Sequence, residues 1–189
     1  MLILASNSPR RKELITEHIT SDFLIIPSNA NEIYDESKSI EENITSFSYL
    51  KGYSVLKNHP LDTVISADTM VVFNNKVYGK PKDIEDAKRM LAEFSNNEHM
   101  VLTSYHIFYQ DKIIHKVVKS YVKFKLLTPE FIEEYTTSLS PLDKAGSYGI
   151  QDSFMKDKIE YYKGSLSNII GLPVEDIKKD LAALKIFDF

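Results

Sequence analysis

The chain has no cysteine. Disulfides, thiolate nucleophiles and zinc–thiolate sites are therefore excluded, and a cytoplasmic location is expected. Long apolar runs are also missing. None approaches the roughly 20 residues that a membrane helix needs. The opening segment MLILASNSPRR turns polar too soon for a secretory signal, so a soluble, unprocessed chain with no membrane partner is expected. An excess of positive charge is lacking as well. The net charge of −4 gives no general attraction to a nucleic acid polymer, so any small anion must be held by a local cluster of cations. There is no Walker A pattern and no G-x-G-x-x-G, and the histidines show no H-E-x-x-H spacing. No serine has a recognisable general base beside it, which leaves no case for a covalent intermediate. Internal repeats, low-complexity tracts and linkers are absent too. With 189 residues, 43% of them hydrophobic and 26% charged, the chain reads as one soluble globular domain over residues 1–189.

What is present alternates between strand and helix. Leu2 to Ala5 is an apolar run suited to a buried strand. Ser8 then offers an N-cap and Pro9 a first helical position, which predicts a helix from Pro9 to about His18. Phe23 to Ile26 reads as a second strand, and Pro27 to Ser39 as irregular. Helical spacing of Ile40, Ile44, Phe47, Leu50 and Val55 predicts a helix over 40–57. A β-branched run from Thr63 to Phe73 leads through Asn74-Asn75, a hairpin turn, into Lys76–Tyr78. Asp83 caps a helix whose apolar positions are Ile84, Ala87, Leu91 and Phe94. Strands over His99–Tyr109 and Lys112–Lys125 meet at Gln110-Asp111. Pro129 opens a helix to about Ser138, a Gly-containing loop spans Leu139 to Ile150, Lys158–Tyr162 forms a short strand, and Pro173 starts the last helix. The pattern predicts an α/β fold: a mixed twisted sheet flanked by helices, as two lobes with a central cleft.

Residues Ser6 to Arg11 carry the first chemical signal. They join a strand to a helix, where exposed N–H groups and the helix dipole attract anions. Arg10, Arg11 and Lys12 oppose that dipole, and only Glu13 lies near enough to compensate Arg10. A bound phosphate removes the conflict, with Ser6 and Ser8 adding hydroxyl donors. Solvated arginines on a capped surface helix are the plain alternative.

Asp68 interrupts an apolar strand, on the face that alternation gives to Val64, Ser66, Met70 and Val72. An ionised carboxylate there needs a cation or a metal as partner, unless it marks a strand break. Lys51 follows Ile40, Ile44 and Phe47 in 4-3-4 steps and so projects from the apolar face of its helix, either towards a ligand or snorkelling along the edge. Lys80 precedes Pro81 and is biased to extended backbone, either presenting a cation to a phosphate or resting in an ordinary turn. Glu32, on its own, reads as a solvated loop acid. His99 is expected to serve packing or hydrogen bonding, and Lys144 is open to retention by its neighbour Asp143.

These segments together resemble the Maf family. The Ser6-Asn7-Ser8-Pro9-Arg10-Arg11 signature after a first strand is similar to that family's opening. Ala67-Asp68-Thr69, Gly79-Lys80-Pro81, His99/Val101/Thr103, Asp143-Lys144-Ala145-Gly146 and Gly171-Leu172-Pro173 resemble its later blocks, in the family's order and over nearly the whole chain. Ser104, Asp152 and Tyr78 depart from the residues usual there, which are Gly, Gly and Leu.

The resemblance implies a Maf/ITPase-like fold and hydrolysis of a nucleoside triphosphate to its monophosphate and pyrophosphate, with Mg²⁺ or Mn²⁺ as cofactor. It implies that Asp68 activates water or holds the metal, that Glu32 joins it at the metal, and that Arg11, Lys51 and Lys80 stabilise the polyphosphate. Arg10, Thr69 and Gln151 match the dTTP/UTP subgroup. Modified pyrimidine nucleotides are further substrate candidates. The alternatives are a nucleotide-binding regulator of septum formation acting through partners, and an inosine triphosphate pyrophosphatase of related fold. A homodimer is expected on the frequency of two-fold assemblies alone.

Overall fold

The computed structural model describes residues 1–138 and 141–189, in this order: β1 (Leu2–Leu4), α1 (Pro9–His18), β2 (Leu24–Ile25), α2 (Ile40–Leu56), β3 (Thr63–Phe73), β4 (Lys76–Tyr78), α3 (Ile84–Phe94), β5 (Glu98–Tyr109), β6 (Lys112–Phe124), α4 (Pro129–Ser138), 3₁₀ turns at Pro141–Asp143 and Ala145–Ser147, α5 (Ser153–Lys156), β7 (Ile159–Lys163), α6 (Leu166–Ile170) and α7 (Val174–Ala183). The seven strands form one sheet in the order β2-β1-β3-β5-β6-β7, with β4 paired to β3. β1 runs parallel to both its neighbours, whereas β3–β4 and β6–β7 are antiparallel, so the sheet is mixed as expected.

Local chemistry explains most boundaries. Ser8 Oγ accepts from Arg11 N and Pro9 takes the first turn of α1. Ser39 and Glu42 form a reciprocal capping box at the start of α2. Asp83 Oδ1 accepts from Asp86 N at 2.8 Å to open α3. Asn74 and Asn75 have φ of 49° and 59°, the left-handed pair that a two-residue hairpin requires.

The differences from expectation are small and have causes. The first strand ends at Leu4, though Ala5 N still donates to Ile65 O at 2.8 Å. The second strand shrinks to Leu24–Ile25 and both side chains are exposed, because β2 is the edge of the sheet. The last strand is shifted by one residue, to Ile159–Lys163. Pro173 is the N-cap of α7 and not its first residue. The loop predicted over 139–150 contains the two 3₁₀ turns, and its first two positions lie outside the described residues. Helices α5 and α6 are new: four and five residues are too few to show a period of 3.6.

The chain divides into two compact units. One comprises Met1–Thr69, Thr103–Val118 and Gly171–Phe189. Its core gathers Ile3, Ala5, Val55, Val64 and Phe108. Helix α7 packs on α1. It is anchored by Asp180, which accepts from Tyr105 Oη and Lys116 Nζ, each at 2.6 Å. The other unit comprises Met70–Leu102 and Lys119–Ile170. Its core includes Val71, Tyr78, Leu91, Phe94, Phe124 and Tyr148. Buried His99 stacks on Phe94 at 4.5 Å and shares a 2.6 Å hydrogen bond through Nε2 with Tyr148 Oη. That is the packing role expected of it.

Candidate active site

Two linked groups of side chains form in the first unit. The first is built on the turn between β1 and α1. Ser8 N donates to Ser6 Oγ at 3.1 Å, and Arg11 N to Ser8 Oγ at 3.4 Å. Both serines act as acceptors in these contacts, so their hydroxyl protons remain for another acceptor. The Arg11 side chain turns inward and is buried. Its Nε donates to Gly171 O at 2.8 Å, Nη1 to Ala67 O at 2.8 Å and Ser6 Oγ at 3.4 Å, and Nη2 to Thr69 Oγ1 at 3.0 Å. Four of the five guanidinium N–H groups are thereby engaged with protein. Burial lowers the Arg11 pKa, opposed by the charge of Asp68. Arg10 lowers it further, and Glu32 raises it. Thr69 Oγ1 also lies 3.0 Å from Thr103 Oγ1. Gly171, at φ 132°, adopts backbone that only glycine takes readily, and so presents its carbonyl to Arg11.

The second group is centred on Lys51. Its Nζ is 3.2 Å from Glu32 Oε1 and donates to Asp68 Oδ1. Close approach of α2 to the sheet makes this meeting possible. A Cβ on Gly52 would stand 2.2 Å from the Phe108 ring and 2.5 Å from Ser66 Oγ, so only glycine fits beside Lys51. Ser66 Oγ donates to Ser48 O of α2 at 2.6 Å, two residues before Asp68 and on the same strand face. Glu32 reaches Lys51 because its loop is tied to α2 at both ends. Ser28 Oγ lies 3.1 Å from Ser54 Oγ. Beyond Glu32, Asp35 N donates to Asn43 Oδ1 at 2.8 Å. Gly52, Ser28, Ser54 and Asn43 were not among the residues that the sequence singled out. The Ser39–Glu42 capping box that opens α2 beside Asn43 has ordinary spacing and is a usable signal; the Ser28–Ser54 pair has none.

Arg10 is half-buried, one residue before Arg11. Lys80 and Gln151 belong to the second unit and both are exposed. Gly79 O, just before Lys80, accepts from Gly146 N at 3.0 Å, which joins the Gly-Lys-Pro and Asp-Lys-Ala-Gly segments. Lys144 Nζ is 2.9 Å from Asp143 Oδ1. Gln151 follows a turn held by Asp152, whose Oδ2 accepts from Tyr135 Oη at 2.6 Å and from Gly149 N at 3.2 Å. The Asp152 departure thus has a structural use, and burial pushes the Tyr135 hydroxyl pKa well up. Ser104 likewise sits buried against Ser48 Oγ at 2.7 Å. Tyr78 donates to Glu93.

Among the described residues no three His, Asp or Glu side chains cluster as a ready-made metal cage. Glu32 and Asp68 supply two carboxylates converging on one point. That suits a hard divalent cation, which takes one or two protein carboxylates and completes its shell with phosphate and water.

Residues 1–184 match the family described as Maf-like protein. The chain belongs to the Maf family. It is 40% identical over 173 residues to a protein of Pyrococcus furiosus named dTTP/UTP pyrophosphatase, covering 92% of this chain and 90% of that one. A Thermosipho africanus protein of the same name is 42% identical over 180 residues, covering 93% and 89%. A third of that name, from Clostridioides difficile, is 38% identical over 191 residues, covering 98% and 97%. The mixed sheet with flanking helices is thus a Maf fold. No helix of the described Maf chain is long and apolar enough to cross a membrane.

Proposed function

We propose that this Maf-family chain is a nucleoside triphosphate pyrophosphatase acting on dTTP and UTP, with modified pyrimidine nucleotides as further candidates. The observation that carries the reading is the convergence of Glu32 and Asp68 on Lys51, in the same unit as the Ser6–Arg11 turn. In the reaction, water attacks the α-phosphorus, the bond from that phosphorus to the α–β bridging oxygen breaks, and pyrophosphate leaves with the bond electrons. Asp68 accepts the proton of the attacking water. Lys51 and Lys80 bind polyphosphate oxygens, and Ser6 and Ser8 donate hydroxyl protons to them. Arg11, tied to Ala67, Thr69 and Gly171, acts as a fixed positive charge behind the acids. Arg10, Thr69 and Gln151 orient the nucleotide and select its base.

Glu32 and Asp68 would hold Mg²⁺ or Mn²⁺. A bound divalent ion supplies Lewis-acid stabilisation of the charge on the polyphosphate. The absence of cysteine goes with a reaction in the cytoplasm.

The test is product analysis over dTTP, UTP, CTP, ITP and 7-methyl-GTP, with Mg²⁺, Mn²⁺ or chelator. Monophosphate plus pyrophosphate from dTTP and UTP, lost with chelator, is expected. Diphosphate plus orthophosphate would contradict the reading. Tight nucleotide binding without turnover would favour the regulatory alternative instead.

A further inference from the structure

We propose that Lys51 is a built-in placeholder cation: with no nucleotide bound, its ammonium pairs with both Glu32 and Asp68 and keeps a divalent ion off them, so that the ion and the nucleotide enter together. This rests on the reading above, in which those two acids are the metal ligands.

Three observations carry it. First, the Lys51 Nζ contacts both carboxylates at once, at 3.2 Å from Glu32 Oε1 and in direct contact with Asp68 Oδ1. It thus stands at the point where the two acids converge. Second, the Lys51 and Asp68 side chains are largely shielded, at relative exposures of 17% and 14%, with Glu32 closing the group from the more open side at 32%. Ion pairs so placed are weakened less by water and salt than surface pairs. Third, Lys51 is held in place by its own helix. The backbone of α2 lies so close to the sheet at Gly52 that an added Cβ would meet Phe108 and Ser66, Ser66 Oγ donates to Ser48 O of the same helix, and the Ser28–Ser54 contact fixes the acid loop. The ammonium is therefore present at high effective concentration, and a dissolved ion must displace it.

Displacing it without giving it a new partner leaves a part-buried ammonium unpaired, which is costly. A triphosphate removes that cost, because the same long side chain can transfer its charge to phosphate oxygens while the carboxylates turn to the divalent ion. The exchange keeps every charge paired. By reciprocity the nucleotide raises affinity for the ion by the same factor that the ion raises affinity for the nucleotide.

The experiment measures Mn²⁺ binding by the loss of its free-ion electron paramagnetic resonance signal. It uses the full chain with and without α,β-methylene-UTP, which cannot be cleaved at the reacting bond, and corrects for Mn²⁺ taken up by the analogue alone. Native protein is expected to bind Mn²⁺ roughly tenfold or more tighter with the analogue, within the ordinary range of coupling between sites. Lys51→Met is expected to bind Mn²⁺ without the analogue several-fold tighter than the native protein does without it, whereas Lys51→Arg keeps the native behaviour. Adding Asp68→Asn to Lys51→Met should abolish the gain. Circular dichroism melts establish that each variant is folded. Equal Mn²⁺ affinity in native protein and Lys51→Met without the analogue would overturn the placeholder role while leaving the acid pair as metal ligands. Absence of Mn²⁺ binding by native protein even with the analogue would instead overturn the metal assignment itself, and the placeholder with it.

Discussion

Ser28 Oγ lies 3.1 Å from Ser54 Oγ and ties the loop that carries Glu32 to the helix that carries Lys51. The hydroxyl of Ser28 also accepts from Ala30 N at 3.0 Å, which shapes the loop just before the acid. Ser28→Ala should therefore loosen Glu32 without touching it. The expected cost in stability is only about 1 kcal/mol, typical of one part-buried hydrogen bond. Pyrophosphate release should fall several-fold, with metal dependence shifted to higher Mg²⁺. Kinetics over a Mg²⁺ series check this, and an unchanged metal dependence would contradict the positioning role of the loop.

Gly52→Ala pits two effects against each other. Alanine in a helix interior gains about 1 kcal/mol over glycine. The added carbon, however, would meet the Phe108 ring at 2.2 Å. Overpacking of this kind costs about 1–3 kcal/mol, and the contact here is severe enough for that term to win. Net destabilisation in urea unfolding is expected, together with lost activity as α2 moves away from β3. A variant more stable than the native chain would contradict the close-approach argument.

Arg11→Lys preserves the charge but not the fork. A single ammonium cannot reach Gly171 O, Ala67 O and Thr69 Oγ1 together, as the guanidinium does. Loss of about 3 kcal/mol in unfolding free energy is expected, from buried charge-assisted hydrogen bonds left unmade. Native-like stability would show that the buried fork is not a structural tie.

Acid should destabilise the fold before its carboxylates titrate. Burial pushes the His99 pKa down to about 3, with nearby Glu98 opposing, and burial together with its neighbour His115 pushes His106 down to about 4. Both imidazoles are neutral when folded, whereas in the unfolded chain they bind protons near pH 6.5. The stability they contribute is complete above about pH 6.5 and is lost as pH falls towards 4 and then 3. At pH 5 the loss is about 2 kcal/mol from each of His99 and His106. Urea unfolding at pH 7.5, 6 and 5 measures it. His99→Phe should be less stable at pH 7.5, because Tyr148 loses its partner, but should decline less between pH 7.5 and 5. An unaltered slope would contradict the assignment to His99.

Much of this fold was legible because its signals are local. The β3–β4 hairpin follows from Asn74-Asn75, and α3 from Asp83 and the spacing of Ile84, Ala87, Leu91 and Phe94. The sidedness of Asp68 and Lys51 followed from periods of 2 and 3.6, and the two side chains do meet. Hidden from the sequence were relationships spanning long separations. The inward turn of Arg11 depends on a carbonyl 160 residues away, at Gly171. The need for glycine at position 52 depends on Phe108, in a strand that periodicity cannot pair with α2. Edge position was hidden as well: Leu24 and Ile25 are apolar strand residues but are exposed, because β2 ends the strand order among the described residues.

In the proposed reaction the Asp68 carboxylate acts in the cleavage step and not merely as the partner of Lys51. Asp68→Asn keeps the shape of the side chain and removes its charge. Single-turnover pyrophosphate release from dTTP and UTP, measured alongside calorimetric binding of α,β-methylene-UTP, tests it most directly. A rate lower by about 10²–10⁴-fold, the usual worth of a positioned base, is expected, with nucleotide binding still measurable. Release within a few-fold of the native rate would contradict it.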